Sequence, residues 1–86
     1  MSLDRRLHAF RDDLADKALE GSVKAARFVE GQPARLGVPV AALRPRPDAA
    51  SGIDTELLFG EDVTVFDRAG GWAWVQAKSD GYVGYL

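Results

Sequence analysis

Gly60-Glu61-Asp62-Val63-Thr64-Val65-Phe66, Gly71-Trp72-Ala73-Trp74-Val75 and Asp80-Gly81-Tyr82-Val83-Gly84-Tyr85-Leu86 fill most of the last third of the sequence. Apolar side chains alternate within each run. Val63 and Val65 fall on one side of a strand, and Thr64 and Phe66 on the other. Trp72 and Trp74 share a face, and Ala73 and Val75 take the opposite, core-facing one. Glycines stand at the joints, where the chain must reverse, and Asp80-Gly81 reads as a hairpin turn with positive φ favoured at both positions. Short strands at this spacing predict a meander of about five strands closing into a small β-barrel.

Working upstream, Thr55 to Phe59 is apolar and extended. Arg44 to Gly52 holds Pro45, Pro47, Ser51 and Gly52 and predicts a long loop. Ala34 to Val40 is extended, with Pro39 favouring an edge or a strand start. Glu30 to Pro33 predicts a turn, and the alternation from Ala25 to Val29 a strand. Before that the period changes. Asp12 or Asp13 can cap a short helix carrying Leu14, Ala15, Ala18 and Leu19 on one stripe, with Gly21 as its stop. Two such turns need the barrel for support. Residues 1–11 predict an arm that packs on something or frays. The expected organisation is an N-terminal arm and short helix over residues 1–22 and a barrel over residues 23–86.

The sequence of 86 residues has room for one core. It contains no cysteine, which removes disulfides, thiolate metal sites and a thiol nucleophile. Residues 1–46 hold nine Lys/Arg and six Asp/Glu, and residues 47–86 hold two and seven, a balance of about +3 followed by −5. The basic residues are interspersed with acids, so nucleic acid is not an expected partner. No run approaches the ~20 apolar residues of a membrane helix. The charged stretch from Met1 to Arg11 has no signal-peptide core. The expected location is therefore cytoplasmic, or periplasmic or wall-associated if the true start differs. His8 is the sole histidine, and Asp12, Asp13, Asp16 and Glu20 lack the spacing of a calcium loop, so neither a metal site nor a cofactor is expected.

Asp54-Thr55-Glu56-Leu57-Leu58-Phe59-Gly60-Glu61-Asp62-Val63, together with Gly71-Trp72-Ala73-Trp74-Val75 and Gly81-Tyr82-Val83-Gly84-Tyr85-Leu86, resembles the first bacterial SH3 (SH3b) domain of NlpC-type cysteine peptidases. Val38 to Arg44 fits the opening strand of that domain, and Asp13 to Pro33 resembles the leader that precedes it in some members. The resemblance implies a mainly β, SH3-like barrel. The parent proteins look like γ-D-glutamyl-L-diamino-acid endopeptidases, in which a second SH3b domain and a papain-like catalytic domain follow. With no cysteine this chain cannot perform the thiol chemistry, so the resemblance implies an accessory part and not an enzyme.

The resemblance also assigns a substrate-binding role to Asp54 and Tyr82, at the end of the cleft that receives the free N-terminal amine of a murein stem peptide. A carboxylate suits an ammonium, and a phenol offers a neutral acceptor beside it. The plainer reading makes Asp54 a turn residue and Tyr82 a barrel aromatic. Trp72, Trp74 and Arg46 are candidates for secondary contacts. For the tryptophans the plainer reading puts one at the core edge and one under the leader or a neighbouring domain, and for Arg46 it is a place in the long loop. Three functions follow: gating of an endopeptidase cleft, direct targeting to peptidoglycan, or binding of proline-rich peptides through Trp72 or Trp74. The implied partners are the catalytic domain, the second SH3b domain and the stem peptide. A face left bare by missing domains would favour a homodimer of the isolated chain.

Overall fold

The computed structural model describes residues 3–86, so the first two residues of the expected arm lie outside them. Among the described residues there are eight strands: β1 (Leu14–Asp16), β2 (Arg27–Val29), β3 (Gln32–Arg35), β4 (Val40–Leu43), β5 (Thr55–Leu58), β6 (Asp62–Ala69), β7 (Trp72–Ala77) and β8 (Val83–Tyr85). The protein is a mainly β, SH3-like barrel. An antiparallel sheet in the order β3-β6-β7-β8 faces an antiparallel ribbon of β4 and β5, and β1 and β2 form a separate parallel pair. An antiparallel bridge between Arg44 and Tyr85 ties the end of the ribbon to β8 and closes the barrel.

Strand alternation divides the apolar residues between two cores. Leu43, Leu57, Val63, Val65, Val75 and Ala77 fill the barrel interior. On the opposite face of the sheet, Phe66, Trp74 and Val83 are buried under Ala9 and Leu14 of the leader. The pairing of β6 with β7 shifts register between Val65 and Asp67: Val65 lies opposite Val75, but Asp67 lies opposite Trp74. One extra residue, Phe66, is thereby accommodated. The bulge re-aims the strand so that Phe66 packs against Trp74, at 5.7 Å between ring centroids.

The expected helix is absent. Leu14–Asp16 is extended, and only Lys17–Leu19 makes a 3-10 turn, capped by Asp16, whose carboxylate accepts from the Ala18 amide at 3.1 Å. The backbone of this segment bonds on two sides. Arg11 and Asp16 donate to the carbonyls of Leu14 and Ala9 at 2.8 Å, while Ala26 and Arg27 donate to those of Asp12 and Asp13 at 3.0 and 3.1 Å. Asp12 and Asp13 therefore sit at a tight reversal and cap nothing. Further corrections are local. The expected strand from Ala25 narrows to Arg27–Val29, and Gln32 and Pro33, expected in a turn, open β3. Pro33 lacks an amide donor but lies on an edge strand, where none is needed. The turn at Asp80 also differs. Only Gly81 has positive φ, at 78°. Its amide reaches back to the Ala77 carbonyl at 3.0 Å, and the Asp80 carboxylate accepts from the Tyr82 amide at 3.0 Å.

The second glycine of Gly81-Tyr82-Val83-Gly84-Tyr85 has a different duty. A Cβ on Gly84 would lie 2.6 Å from the Arg44 carbonyl oxygen and 2.9 Å from Leu43 Cγ. Barrel closure thus requires a strand with no side chain at this crossing. Gly84→Ala is expected to cost about 1–3 kcal/mol through overpacking, read as a lower urea midpoint. Gly52→Ala, with nothing within 4 Å of the added methyl, should stay within about 0.5 kcal/mol of the parent chain. Equal midpoints for the two variants would contradict the close crossing.

Candidate functional site

The long loop places Asp54. Its turns are braced internally: Ser51 Oγ donates to the carbonyls of Asp48 at 2.8 Å and Arg46 at 3.3 Å, and Arg44 Nη1 donates to the Ser51 carbonyl at 2.6 Å. The loop re-enters the barrel where the Asp54 amide donates to the Leu43 carbonyl at 2.9 Å, one residue before β5. Asp54 then lines a cavity of about 240 Å³ between leader and barrel. Arg5, Arg6, Phe10 and Arg11 form the leader side, and Pro45, Asp54, Trp74, Val83, Gly84 and Tyr85 the barrel side. Asp54 Oδ2 is buried and has no hydrogen-bond partner among the described residues. A buried acceptor left unpaired costs about 1–3 kcal/mol, so this oxygen marks a place where a donor is wanted.

The other expected site residues are dispersed. Tyr82 is half-buried against the interior core and is not part of the cavity wall. Both Tyr82 and Asp54 lie within the electrostatic reach of Arg6, whose charge they favour after its main partner, Asp4. Trp74, only 4% exposed, is the cavity floor and lies under the leader. Trp72 is half-buried and lines a smaller neighbouring cavity of about 120 Å³ with Arg11, Pro47, Asp67, Ala69, Trp74 and Tyr85. Arg46 stays exposed in the loop, where its carbonyl accepts from the Ser51 hydroxyl.

Arg11 is the residue that sequence reasoning missed. Its guanidinium lies 4.4 Å over the Trp74 ring. It donates to Tyr85 Oη at 3.2 Å, to Asp67 Oδ2 at 2.9 Å and to both Asp13 oxygens at 2.9 and 3.0 Å. Burial opposes the charge, but the bonds to Tyr85, Asp67 and Asp13 outweigh it and hold the arginine pKa above its ordinary value. The Arg-x-Asp spacing of Arg11 and Asp13 was the one available signal. Asp67 gave none, because only the bulge brings it beside Trp74. The exposed pairs Arg5–Asp12 and Arg6–Asp4 are screened by water and add little. Burial of a large apolar side chain is worth about 1.5–3 kcal/mol. Leu14 over Phe66 and Trp74, with Arg11 as the clasp, is what fixes the leader.

Residues 43–86 match the family model described as the bacterial dipeptidyl-peptidase SH3 domain. The match spans half of the chain, and the chain belongs to that family. It is thus a bacterial SH3 domain, a non-catalytic accessory or wall-binding module. The leader, β3 and nearly all of β4 fall outside the match. No curated protein and no solved structure matches the chain. Among the described residues, no group of three or more His, Cys, Asp or Glu is placed to hold a metal ion.

The Asp13 carboxyl is held below the usual carboxylate range, first by its hydrogen bonds from Arg11. A folded-state pKa below the unfolded one stabilises above the ordinary Asp value of about 3.9, and that contribution is lost as pH falls through the lowered value. Acid titration of tryptophan emission should therefore show a component as the leader loosens, and Asp13→Asn should remove it. Identical acid titrations of the two proteins would contradict the clasp.

Proposed function

We propose that the chain is the accessory, substrate-gating SH3b domain of an NlpC-type murein-peptide endopeptidase, the first of two such domains before a papain-like catalytic domain. In this reading it acts in cytoplasmic recycling of wall peptides. Asp54 receives the free N-terminal ammonium of a stem peptide, and Tyr82, which lies outside the cavity wall, has the lesser part. The observation that carries this is the buried, partnerless Asp54 Oδ2 in a cavity of about 240 Å³. An ammonium would supply the missing donor and neutralise the carboxylate in one contact, and a charge-assisted bond is stronger than a neutral one. An N-acylated peptide has neither the charge nor the small end group. Arg5, Arg6 and Arg11 also line the cavity, and each is paired with carboxylates of its own: Arg5 with Asp12, Arg6 with Asp4, and Arg11 with Asp13 and Asp67.

Grafted onto a catalytic domain of this class, Asp54→Asn should lower the preference for free-amine over N-acetylated stem peptides about 10–100-fold, the equivalent of a charge-assisted bond worth ~1.5–3 kcal/mol. Tyr82→Phe should lower it less. An unchanged ratio in both variants would refute gating, and tight sedimentation of the isolated chain with purified murein would favour direct wall targeting.

A second observation supports the reading of a domain that works beside others. Val38, Val40, Leu58 and Phe59 are exposed on the β4–β5 ribbon and the turns beside it, Phe59 by 71%, and Val40 lies directly opposite Leu58. A contiguous apolar strip of this kind is suited to contact with the remaining domains. Alone, the chain should self-associate in concentrated solution, and Phe59→Ser should reduce this. A strict monomer at high concentration by light scattering would speak against the strip as a contact face.

A further inference from the structure

The three arginines that line the Asp54 cavity are held unequally. Arg11 is tied to Tyr85, Asp67 and Asp13 and covers Trp74. Arg5 pairs with Asp12 at 3.0 Å and lies 4.8 Å over the Phe10 ring. The Arg6 guanidinium has one partner among the described residues, Asp4, at 3.1 and 3.3 Å. Their side chains are 68% and 42% exposed, so water screens the pair and little is lost when it opens. The Arg6 backbone, by contrast, is fixed. Its amide donates to Asp4 Oδ1 at 2.8 Å, and its carbonyl accepts from the Val83 amide at 2.7 Å. Val83 is itself a wall of the cavity. A long cationic side chain is thus rooted at the rim of a cavity whose buried carboxylate oxygen, Asp54 Oδ2, has no partner among the described residues.

We propose that Arg6 is an internal plug for this cavity: its guanidinium exchanges between Asp4, where it lies in this structure, and Asp54, where it fills the cavity and gives Oδ2 its missing donor. Only side-chain rotations are needed, because the Val83 bond keeps the root in place. The exchange trades one charge-assisted pair for another. At Asp54 the bonds form in a less polar place and are stronger, but the guanidinium gives up part of its hydration. These terms oppose each other, which is what lets one side chain serve both positions. Asp54 already favours the charge on Arg6 through space. Asp4 is then the hold that keeps the cavity open. The exchange stands on the orphaned oxygen alone, while its effect on ligands rests on the reading of Asp54 as an amine site. There the plug weakens apparent affinity in proportion to the fraction of molecules whose cavity is self-occupied. Asp4 and Arg6 lie outside the stretch matched by the family, so this control belongs to the leader and not to the barrel.

The full chain, labelled with nitrogen-15 and carbon-13, tests the plug through its Arg6 Nε–H and Asp54 Cγ signals. Asp4→Asn leaves an oxygen for the Arg6 amide but removes the charge that holds the guanidinium. It should shift the Asp54 Cγ signal. It should also slow exchange of the Arg6 Nε proton with water about tenfold relative to the double variant that adds Asp54→Asn. If the double variant does not fold, Arg6→Gln carries the test: in its background Asp4→Asn should leave the Asp54 Cγ signal unmoved. An Arg6 proton that exchanges equally fast with and without the Asp54 carboxylate, or an Asp54 signal indifferent to Asp4→Asn, would overturn the plug. L-alanine amide, titrated into the same proteins, separates the two levels of inference. It should bind Asp4→Asn about threefold more weakly than wild type, and Arg6→Gln more tightly. Coupling of Arg6 to Asp54, with amide binding indifferent to Asp54→Asn, would leave the plug standing and overturn the amine site. Binding lost in Asp54→Asn without that coupling would overturn the plug and leave the amine site standing.

Discussion

Strand β7 is apolar on both faces, and the molecule is organised around covering it. Val75 and Ala77 face the barrel interior, while Trp74 faces outward with Phe66 and Val83 beside it. A sheet can present one apolar face to a barrel core, but the other must then be covered or left as an exposed patch of aromatic surface. The leader meets that need. Leu14, at 1% exposure, and Ala9, also at 1%, seal the outer face, and Arg11 spreads its guanidinium over the remaining part of Trp74. The leader backbone joins the barrel too: the Val83 amide donates to the Arg6 carbonyl at 2.7 Å, and Gln76 Nε2 to the Leu7 carbonyl at 3.0 Å. Arm and barrel thus share one packed interface.

The same interface creates the candidate site. Asp54 is delivered by the barrel's long loop, but the space above it exists because Arg5, Arg6, Phe10 and Arg11 form a second wall. The barrel supplies the floor and the Asp54 carboxylate, and the segment before it supplies the facing wall. With no cysteine, the chain supplies no thiol nucleophile of its own.

Much of the barrel was legible because its physics is local. Alternation at Val63 and Val65 and again from Trp72 to Val75 fixed the two faces, and the sharing of a face by Trp72 and Trp74 followed from the two-residue repeat alone. The anticipated place for one tryptophan under the leader is where Trp74 lies. The stretch from Leu14 to Leu19 was misread because a few apolar residues fit either a helical stripe or a short strand. What decided between them was pairing with Arg27–Val29, a dozen residues on, which no local pattern encodes. The bulge at Phe66 was equally hidden, and with it the placement of Asp67 beside Trp74. At the site, Asp54 was reached through resemblance, while Arg11 looked like one more solvated charge. A cation that serves as a clasp differs from a surface arginine only in its tertiary surroundings.

Amide hydrogen exchange of the full chain measures the shared interface most directly. If the leader completes the outer core, the amides of Asp16 and Arg27 should exchange at rates set by the same opening as those of Val75 and Tyr85, because the two layers should open together. Leader amides that exchange orders of magnitude faster, over a barrel that stays fully protected, would show that Trp74 does not need its cover and would contradict the account.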